Sequence, residues 1–240
     1  MSLLKPPQQC SWHGYSTTAA LEQAAAQAIL HAAQQAIHQR GAFHIVLAGG
    51  TTPRRVYELL RATDADWAAW HVYFGDERCL PPGHAERNSR MAGLAWLDHV
   101  TIRSSRIHLI PAEMGAQAAA SVYAQAVRDI ELFDLVILGL GEDGHTASLF
   151  PNDHSVPNRD LGATSDAPAA IAVEDAPKPP PQRVSLSAHR LSASRQVMFL
   201  VTGAAKQQAI TNWRNGLDIP AAFITPADGV DVYLDAALLK

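Results

Sequence analysis

Three glycines, an aspartate and a histidine lie together in the segment L-G-L-G-E-D-G-H-T-A-S-L-F-P, residues 138–151. Gly139, Gly141 and Gly144 satisfy the pattern G-x-G-x-x-G after an apolar run. That pattern marks a dinucleotide-binding turn when a long helix follows and an acidic residue ends the next strand. Here Pro151 limits any helix to about two turns, and no clear strand ends in an acid at the required distance. The glycines therefore favour a turn that presents other groups.

Asp143 and His145 are the reactive groups that this turn contains. An imidazole can take a proton from water and return it to a leaving group, because its pKa lies near neutral pH. A carboxylate two residues earlier can orient the ring or hold a substrate. A metal-bound hydroxide is the rival nucleophile, but the sequence has neither H-x-x-x-H nor H-E-x-x-H. We predict a base and its companion acid, with no metal and no cofactor.

Four segments rich in glycine or charge directly follow apolar runs that predict strands. Short apolar strands alternating with helices predict an α/β fold, in which helices cover both faces of a mostly parallel central sheet. Ligands bind at the carboxyl ends of the strands in such sheets. We therefore expect the four segments to meet at one rim of the sheet. They are Gly49-Gly50-Thr51, Asp76-Glu77-Arg78, residues 139–145, and Gly203 with Lys206.

The remaining elements are predicted from periodicity and from helix stop signals. The predicted helices are 17–40, 54–61 with Pro53 at the first position, 88–97, 116–131 and 204–214. The predicted strands are 43–48, 71–74, 106–110, 135–138, 169–173, 184–187, 196–201, 222–224 and 232–234. Residues 152–167 are polar and irregular, and we hypothesise that they form a mobile lid. Because no repeat or linker interrupts the pattern, we predict a single domain over residues 1–240.

Composition limits the classes of partner. The chain of 240 residues has a formal net charge of −4, so it has no basic field to attract nucleic acid or anionic lipid. No apolar run approaches the length of a membrane span, and no signal peptide is apparent. Cys10 and Cys79 form no disulfide framework. We expect a cytoplasmic monomer or weak homodimer whose small anionic substrate is held by a few placed cations.

Four sequence blocks carry a resemblance to a known family. L-A-G-G-T-T-P, F-G-D-E-R-C-L-P, the segment 138–151 and K-P-P-P-Q-R-V-S-L occur in the order found in 6-phosphogluconolactonases, and Gly203 with Lys206 resembles the last turn of that family. The resemblance implies a Rossmann-like three-layer sandwich, shared with hexosamine-phosphate deaminases and isomerases, whose glycine turn does not bind NAD. It implies hydrolysis of 6-phospho-D-glucono-1,5-lactone to 6-phospho-D-gluconate in the oxidative pentose phosphate pathway.

The resemblance also suggests which residues form the site. The helix start after Gly50 offers free N–H groups to an anion. Arg78 is either a bidentate clamp or a surface ion-pair partner of its acidic neighbours, and Lys178 and Arg183 are either substrate cations or ordinary surface residues. Besides His145 and Asp143, the predicted binding residues are Gly49, Gly50, Thr51, Thr52, Asp76, Arg78, Asn88, Lys178, Arg183 and Lys206. Arg87 stands where the family usually has serine, and it either adds charge near the pocket or faces solvent.

Three other functions are weighed against hydrolysis. An amino-sugar phosphate deaminase would place a carboxylate before the proline that ends the segment 138–151, where this chain has Leu149-Phe150. A non-catalytic sugar-phosphate-binding module would keep the cations without needing His145. An NAD oxidoreductase is the least favoured, for the reasons given for the glycine turn.

Overall fold

A computed structural model describes residues 8–151 and 168–240 of the chain. Its strands are β1 (Cys10–Tyr15), β2 (Phe43–Leu47), β3 (Trp70–Phe74), β4 (Asp76–Arg78), β5 (Phe133–Gly139), β6 (Ala170–Val173), β7 (Arg183–Leu186), β8 (Ser194–Val201) and β9 (Val230–Asp235). Its α-helices are α1 (Thr18–Arg40), α2 (Thr51–Arg61), α3 (Asn88–Ala95), α4 (Ala116–Ala126), α5 (Ala188–Ser192) and α6 (Gln207–Arg214). The hypothesised lid, residues 152–167, lies outside the described residues.

The central sheet is parallel, which confirms the predicted α/β class. In the described parts of the chain it has six strands in the order β1-β9-β8-β5-β2-β3. The chain moves from β2 outward to β3, and from β5 outward in the other direction to β8 and β9. The winding therefore reverses between β2 and β5, and ligands bind at such reversal points in open α/β sheets.

A second, antiparallel sheet stands beside the carboxyl end of β3. Its described strands have the order β4-β7-β6. Gly75 joins the two sheets, since its N–H donates to the carbonyl of Leu47 and its carbonyl accepts from the N–H of Leu186. Antiparallel pairing places Arg78 directly opposite Arg183. The small sheet thus brings two distant cations to the same end of the main sheet.

Helix α1 shows why the predicted helix forms where it does. The Thr17 hydroxyl accepts a hydrogen bond from the N–H of Ala20 at 3.2 Å, which caps the first turn. Gly41 ends the helix in the left-handed region at φ 77°, where glycine has no steric penalty. Between the caps, a stripe that includes Leu21 and Ile29 is fully buried against the sheet. No helix of the described chain is both long enough and apolar enough to cross a membrane.

Two predicted strands are wrong. Residues 106–110 form a 3-10 turn (Ser104–Arg106) followed by a single bridge from Ile107 to Val72. Residues 222–224 belong to a 3-10 turn (Pro220–Phe223), because proline at the first position favours a helical turn.

The predicted helices 116–131 and 204–214 are too long, and α2 begins earlier than predicted. Helix α4 ends at Ala126, and the later carbonyls of Ile130 and Glu131 accept hydrogen bonds from the Arg190 guanidinium instead of continuing the helix. Residues 204–206 form a 3-10 turn before α6. Helix α2 begins at Thr51, so Pro53 is its third residue, where its missing N–H is still one that a helix leaves unpaired.

Three half-buried imidazoles stack near the amino-terminal end of β2 and β3. His44 and His71 are paired in register, and their rings lie 4.6 Å apart. His108 stacks 5.7 Å from His71, and its Nε2 lies 3.4 Å from the Nδ1 of His71. Burial lowers the pKa of all three below 6.5. The charge of His71 lowers the pKa of His44 and of His108 further, and Arg106 does the same for His71, whereas Asp134 opposes the effect at His44.

We predict that acid destabilises the fold through this stack. Because the folded-state pKa values are depressed, the unfolded chain binds more protons below pH 6.5, so the free energy of unfolding falls as pH falls through that window. Urea unfolding between about pH 7.5 and about pH 5 measures this slope. His71→Phe keeps a ring without a titrating group and should flatten the slope, whereas the exposed His38→Gln should not. If the free energy of unfolding depended on pH equally in all three proteins, the histidine stack would not be the source of the acid sensitivity.

Candidate active site

The four segments predicted to converge do so around one cavity of about 350 Å³ at the carboxyl ends of β2, β3 and β5. A cavity of this size suits a small, polar ligand. The sequence-predicted residues that line it are Gly49, Gly50, Asp76, Arg78, Asn88, His145, Lys178, Arg183 and Lys206. Asp143, Thr51 and Thr52 do not line it.

The imidazole of His145 is held by the carboxylate of Asp143. The His145 Nδ1 lies 2.5 Å from the Asp143 Oδ1, which also accepts the backbone N–H of His145 at 3.2 Å. An ionised carboxylate only accepts hydrogen bonds, so Nδ1 carries the proton and Nε2 keeps its lone pair. The ring also packs on Phe150, with a centroid distance of 4.7 Å. Asp143 therefore fixes both the tautomer and the direction of the ring.

The protonation of this pair follows from its surroundings. Burial lowers the pKa of His145, and Lys178 lowers it further, against the opposing charges of Asp143 and Asp76. Burial alone would raise the pKa of Asp143, but the charge and hydrogen bonds of His145 outweigh it and hold that pKa below 3.8. Near neutral pH the pair is thus a carboxylate beside a neutral imidazole.

The close placement of His145 beside Asp143 requires a glycine at position 141. A Cβ added there would lie 2.0 Å from the His145 Nδ1 and 2.6 Å from the Asp143 Oδ1. The N–H of Gly141 donates to the carbonyl of His145 at 2.7 Å, which closes the turn. After this turn the described chain forms further turns rather than a helix. Between the turn and residue 151, where this part of the description ends, the chain therefore lacks the helix of a dinucleotide-binding motif.

A buried carboxylate, Asp76, forms the opposite wall. Its Oδ1 accepts from the amide of Asn88 at 2.9 Å, and its Oδ2 accepts from the hydroxyl of Ser148 at 2.6 Å. The Asn88 side chain packs so closely on Gly49 that a Cβ there would lie 2.0 Å from its Oδ1. The carboxylate of Asp76 is thus held in one orientation by the start of α3 and by the turn between Gly139 and Leu149.

Positive charge is concentrated at this cavity. Arg78 and Arg183 are opposite each other across β4 and β7, and like charges in such pairs are unfavourable. Burial lowers the pKa of Arg183, Asp76 opposes this, and the charge of Arg78 lowers it further. Lys178 and Lys206 line the same cavity. An anionic ligand would relieve the repulsion among these cations.

Arg183 also builds the wall that carries Lys178. Its Nε donates to the carbonyl of Pro180 at 3.1 Å, and its Nη2 donates to the carbonyl of Lys178 at 2.9 Å. Its guanidinium lies 5.5 Å from the centre of the Phe150 ring. Arg183 therefore joins the Lys178 segment to the turn that presents His145.

The two threonines predicted to bind substrate have other surroundings. Thr52 is buried, and its hydroxyl pairs with that of Thr202 at 2.7 Å. Thr51 is exposed at the first residue of α2. No side chain caps the amino terminus of α2 in the described structure, so its first N–H groups remain suited to an anion.

Ser148 and Ala147 are site residues that the sequence reasoning missed. Ser148 is fully buried and holds Asp76. Ala147 lines the cavity with φ 48°, a left-handed conformation that an alanine adopts at a cost of about 1–2 kcal/mol. Both residues lie in the segment 138–151, and their place in it was the one sequence signal that could have identified them. Their contacts, however, depend on the tertiary structure.

A larger cavity of about 690 Å³ lies elsewhere, between α1 and the start of β3. Leu30, Ile37 and Trp70 form much of its surface, and its charged residues are Asp64 and Asp66. This lining does not suit an anion. In the described parts of the chain, no three His, Cys, Asp or Glu side chains are arranged to hold a metal ion.

Comparisons with known proteins show which family this chain belongs to. The family model described as glucosamine-6-phosphate isomerases/6-phosphogluconolactonase matches residues 16–233. The 6-phosphogluconolactonase of Synechocystis sp. is 37% identical over 205 residues, which cover 80% of this chain and 81% of that protein. The 6-phosphogluconolactonase of Nostoc sp. is 34% identical over 222 residues, which cover 87% of this chain and 88% of that protein.

A solved structure shows the same fold. The crystal structure of the 6-phosphogluconolactonase from Thermotoga maritima superposes with a TM-score of 0.85 over 95% of this chain and 100% of that chain, at 24% identity. The family match covers most of the sequence, and the two relatives exceed 30% identity over most of both chains. This chain therefore belongs to the glucosamine-6-phosphate isomerase/6-phosphogluconolactonase family.

Proposed function

We propose that this chain hydrolyses 6-phospho-D-glucono-1,5-lactone to 6-phospho-D-gluconate, with His145 as a general base that needs no metal. One observation carries the proposal. A neutral imidazole, oriented by a carboxylate at 2.5 Å, lines a cavity that four cationic side chains also line. Such a cavity offers a proton acceptor and an anion site together, which the hydrolysis of a phosphorylated lactone requires.

The chemistry follows from the free lone pair of His145. Its Nε2 removes a proton from water as the water oxygen attacks the lactone carbonyl carbon, which gives a tetrahedral oxyanion and an imidazolium. When the oxyanion collapses, the bond to the ring oxygen breaks, and the imidazolium returns its proton to that oxygen. Asp143 stabilises the imidazolium between these steps, because it accepts a hydrogen bond from Nδ1 throughout.

The phosphate supplies orientation in this scheme. Arg78, Arg183, Lys178 and Lys206 are the cations that hold it, together with the amino terminus of α2 after Gly50. Asp76 carries the opposite charge and suits the sugar hydroxyl groups as a hydrogen-bond acceptor. Binding of the phosphate to these cations fixes the orientation of the lactone in the cavity that His145 also lines.

The relatives support this function over the alternatives. The two bacterial relatives and the solved structure are named 6-phosphogluconolactonases. A deaminase would need a carboxylate before Pro151, where Leu149 and Phe150 are instead buried in the protein. A non-catalytic sugar-phosphate-binding module stays an alternative, which the lactone assay separates from the enzyme.

We predict that His145→Ala lowers kcat by about 10²–10⁴-fold, because that is the usual contribution of a general base. The assay follows hydrolysis of freshly made 6-phosphogluconolactone with the spontaneous rate subtracted. Chelator treatment should leave the wild-type rate unchanged, and His38→Ala, on the exposed face of α1, should behave as wild type. A folded wild type that only matches the spontaneous rate would leave a binding module as the better account. Loss of the wild-type rate on chelation would favour a metal hydroxide.

We also predict that Gly141→Ala separates His145 from Asp143, because the new Cβ would overlap both side chains. A misplaced base typically costs about 10²-fold in rate. NMR titration of the His145 ring should show an altered pKa, since the Asp143 charge now acts from farther away. Gly139→Ala is the matched control, because its Cβ would have no atom within 4 Å and would leave the pair in place. An unchanged His145 titration in Gly141→Ala would contradict this account of the turn.

A further inference from the structure

Arg87 is buried immediately before α3, where the sequence left its role open between the pocket and solvent. Arg87 neither adds charge to the pocket nor faces solvent. Its side chain is 4% exposed and does not line the cavity. It occupies the cap position of α3 with an extended backbone, φ −73° and ψ 136°, and it makes no side-chain cap bond to that helix. A buried arginine needs partners, and those partners identify its role.

The guanidinium of Arg87 is surrounded by acceptors on three sides. Its Nη1 donates to the Oε2 of Glu113 at 2.8 Å, and its Nη2 donates to the carbonyl of Ile110 at 2.8 Å. Its Nε makes no hydrogen bond in the described structure but lies 3.5 Å from the Oε2 of Glu77, within ion-pair distance. Arg87 thus anchors Glu77 to the segment 110–113.

Glu77 in turn holds the first turn of α3. It is 1% exposed, and its Oε1 accepts the backbone N–H of Asn88 at 2.7 Å, while its Oε2 accepts that of Ser89 at 2.9 Å. A carboxylate at a helix amino terminus is stabilised by those N–H groups and by the helix dipole. Glu77 therefore replaces the side-chain cap that Arg87 does not supply.

The position of α3 determines the position of Asn88 in the cavity wall. The Asn88 amide donates to the backbone carbonyl and to the Oδ1 of Asp76, both at 2.9 Å. Asp76 lines the cavity with His145, and its charge acts on the pKa of that imidazole. A continuous series of contacts runs from Arg87 through Glu77 and Asn88 to Asp76.

We propose that Arg87 is a positioning residue, which fixes Glu77 and the start of α3 so that Asn88 holds the Asp76 carboxylate in its orientation beside His145. The proposal rests on the proposed lactone hydrolysis and names a residue on which its geometry depends. Removing the guanidinium leaves Glu77 buried without its cation, a costly state that is relieved when the carboxylate moves. That movement weakens its hold on the N–H groups of Asn88 and Ser89.

The first test compares kcat/KM for lactone hydrolysis in Arg87→Met, Arg87→Lys and Arg90→Met. Arg87→Met keeps much of the side-chain volume without the charge and should lower kcat/KM by about 10–10²-fold, the cost of a small misplacement of reacting groups. Arg87→Lys should restore part of the loss because it keeps a cation. Arg90 is exposed on the same helix, so Arg90→Met should match the wild type.

The second test separates positioning from simple stabilisation. In an Asn88→Ala background, Arg87→Met should add little to the loss, because the residue through which it acts is already missing. If the two losses multiply, Arg87 does not act through Asn88. Amide exchange at Asn88 and Ser89 should also be faster in Arg87→Met than in Arg90→Met. Unchanged exchange there would overturn the proposal.

The outcomes distinguish this proposal from the function on which it rests. An active wild type with equally active Arg87→Met would overturn the role of Arg87 alone. A folded wild type that does not accelerate lactone hydrolysis would overturn the proposed function, and the role of Arg87 with it. If Arg87→Met does not fold, Arg87→Lys takes its place, with a smaller loss expected in the wild-type background and none added in Asn88→Ala.

Discussion

The site depends on holding a carboxylate 2.5 Å from an imidazole within a single turn at the carboxyl end of β5. Here a tight turn of the chain brings together these two groups, which are two residues apart in the sequence. The N–H of Gly141 closes that fold onto the carbonyl of His145, and the missing Cβ leaves space for both side chains. In a dinucleotide site, glycines let the backbone approach a ligand. Here Gly141 instead lets the side chains of Asp143 and His145 approach each other.

The acids at the carboxyl end of β3 are fixed in place. Asp76 lines the cavity and Glu77 lies behind it; both are buried and accept hydrogen bonds from N–H, amide and hydroxyl donors, and Arg87 forms an ion pair with Glu77. The cations Arg78 and Arg183 instead face each other across two strands. Fixed acids and crowded cations give the cavity a wall of defined geometry and an affinity for anions. This arrangement would let a chain with a net charge of −4 hold the anionic substrate proposed for it.

Much of the central sheet could be predicted from the sequence because its strands are buried on both faces and read as apolar runs. The rule that ligands bind at strand ends then predicts that four distant segments meet. Strand β1 was missed because its residues are only partly buried and alternate weakly. Strands β6 and β7 were predicted, but β4 and the separate sheet that the three strands form were missed, because the pairing of β4 with β7 leaves no local pattern. The role of Arg87 could not be decided from the sequence, because its partners Glu77 and Glu113 are brought together only by tertiary structure.

In the proposed hydrolysis, the neutral imidazole of His145 is the base. The most direct measurement compares the pH dependence of kcat/KM in chelator-treated protein with the NMR titration of the His145 ring. Burial lowers the pKa of His145, so we predict that both curves have the same midpoint and that it lies below 6.5, with activity lost on the acidic side. Activity that falls with a midpoint at which the His145 ring does not titrate would contradict the claim.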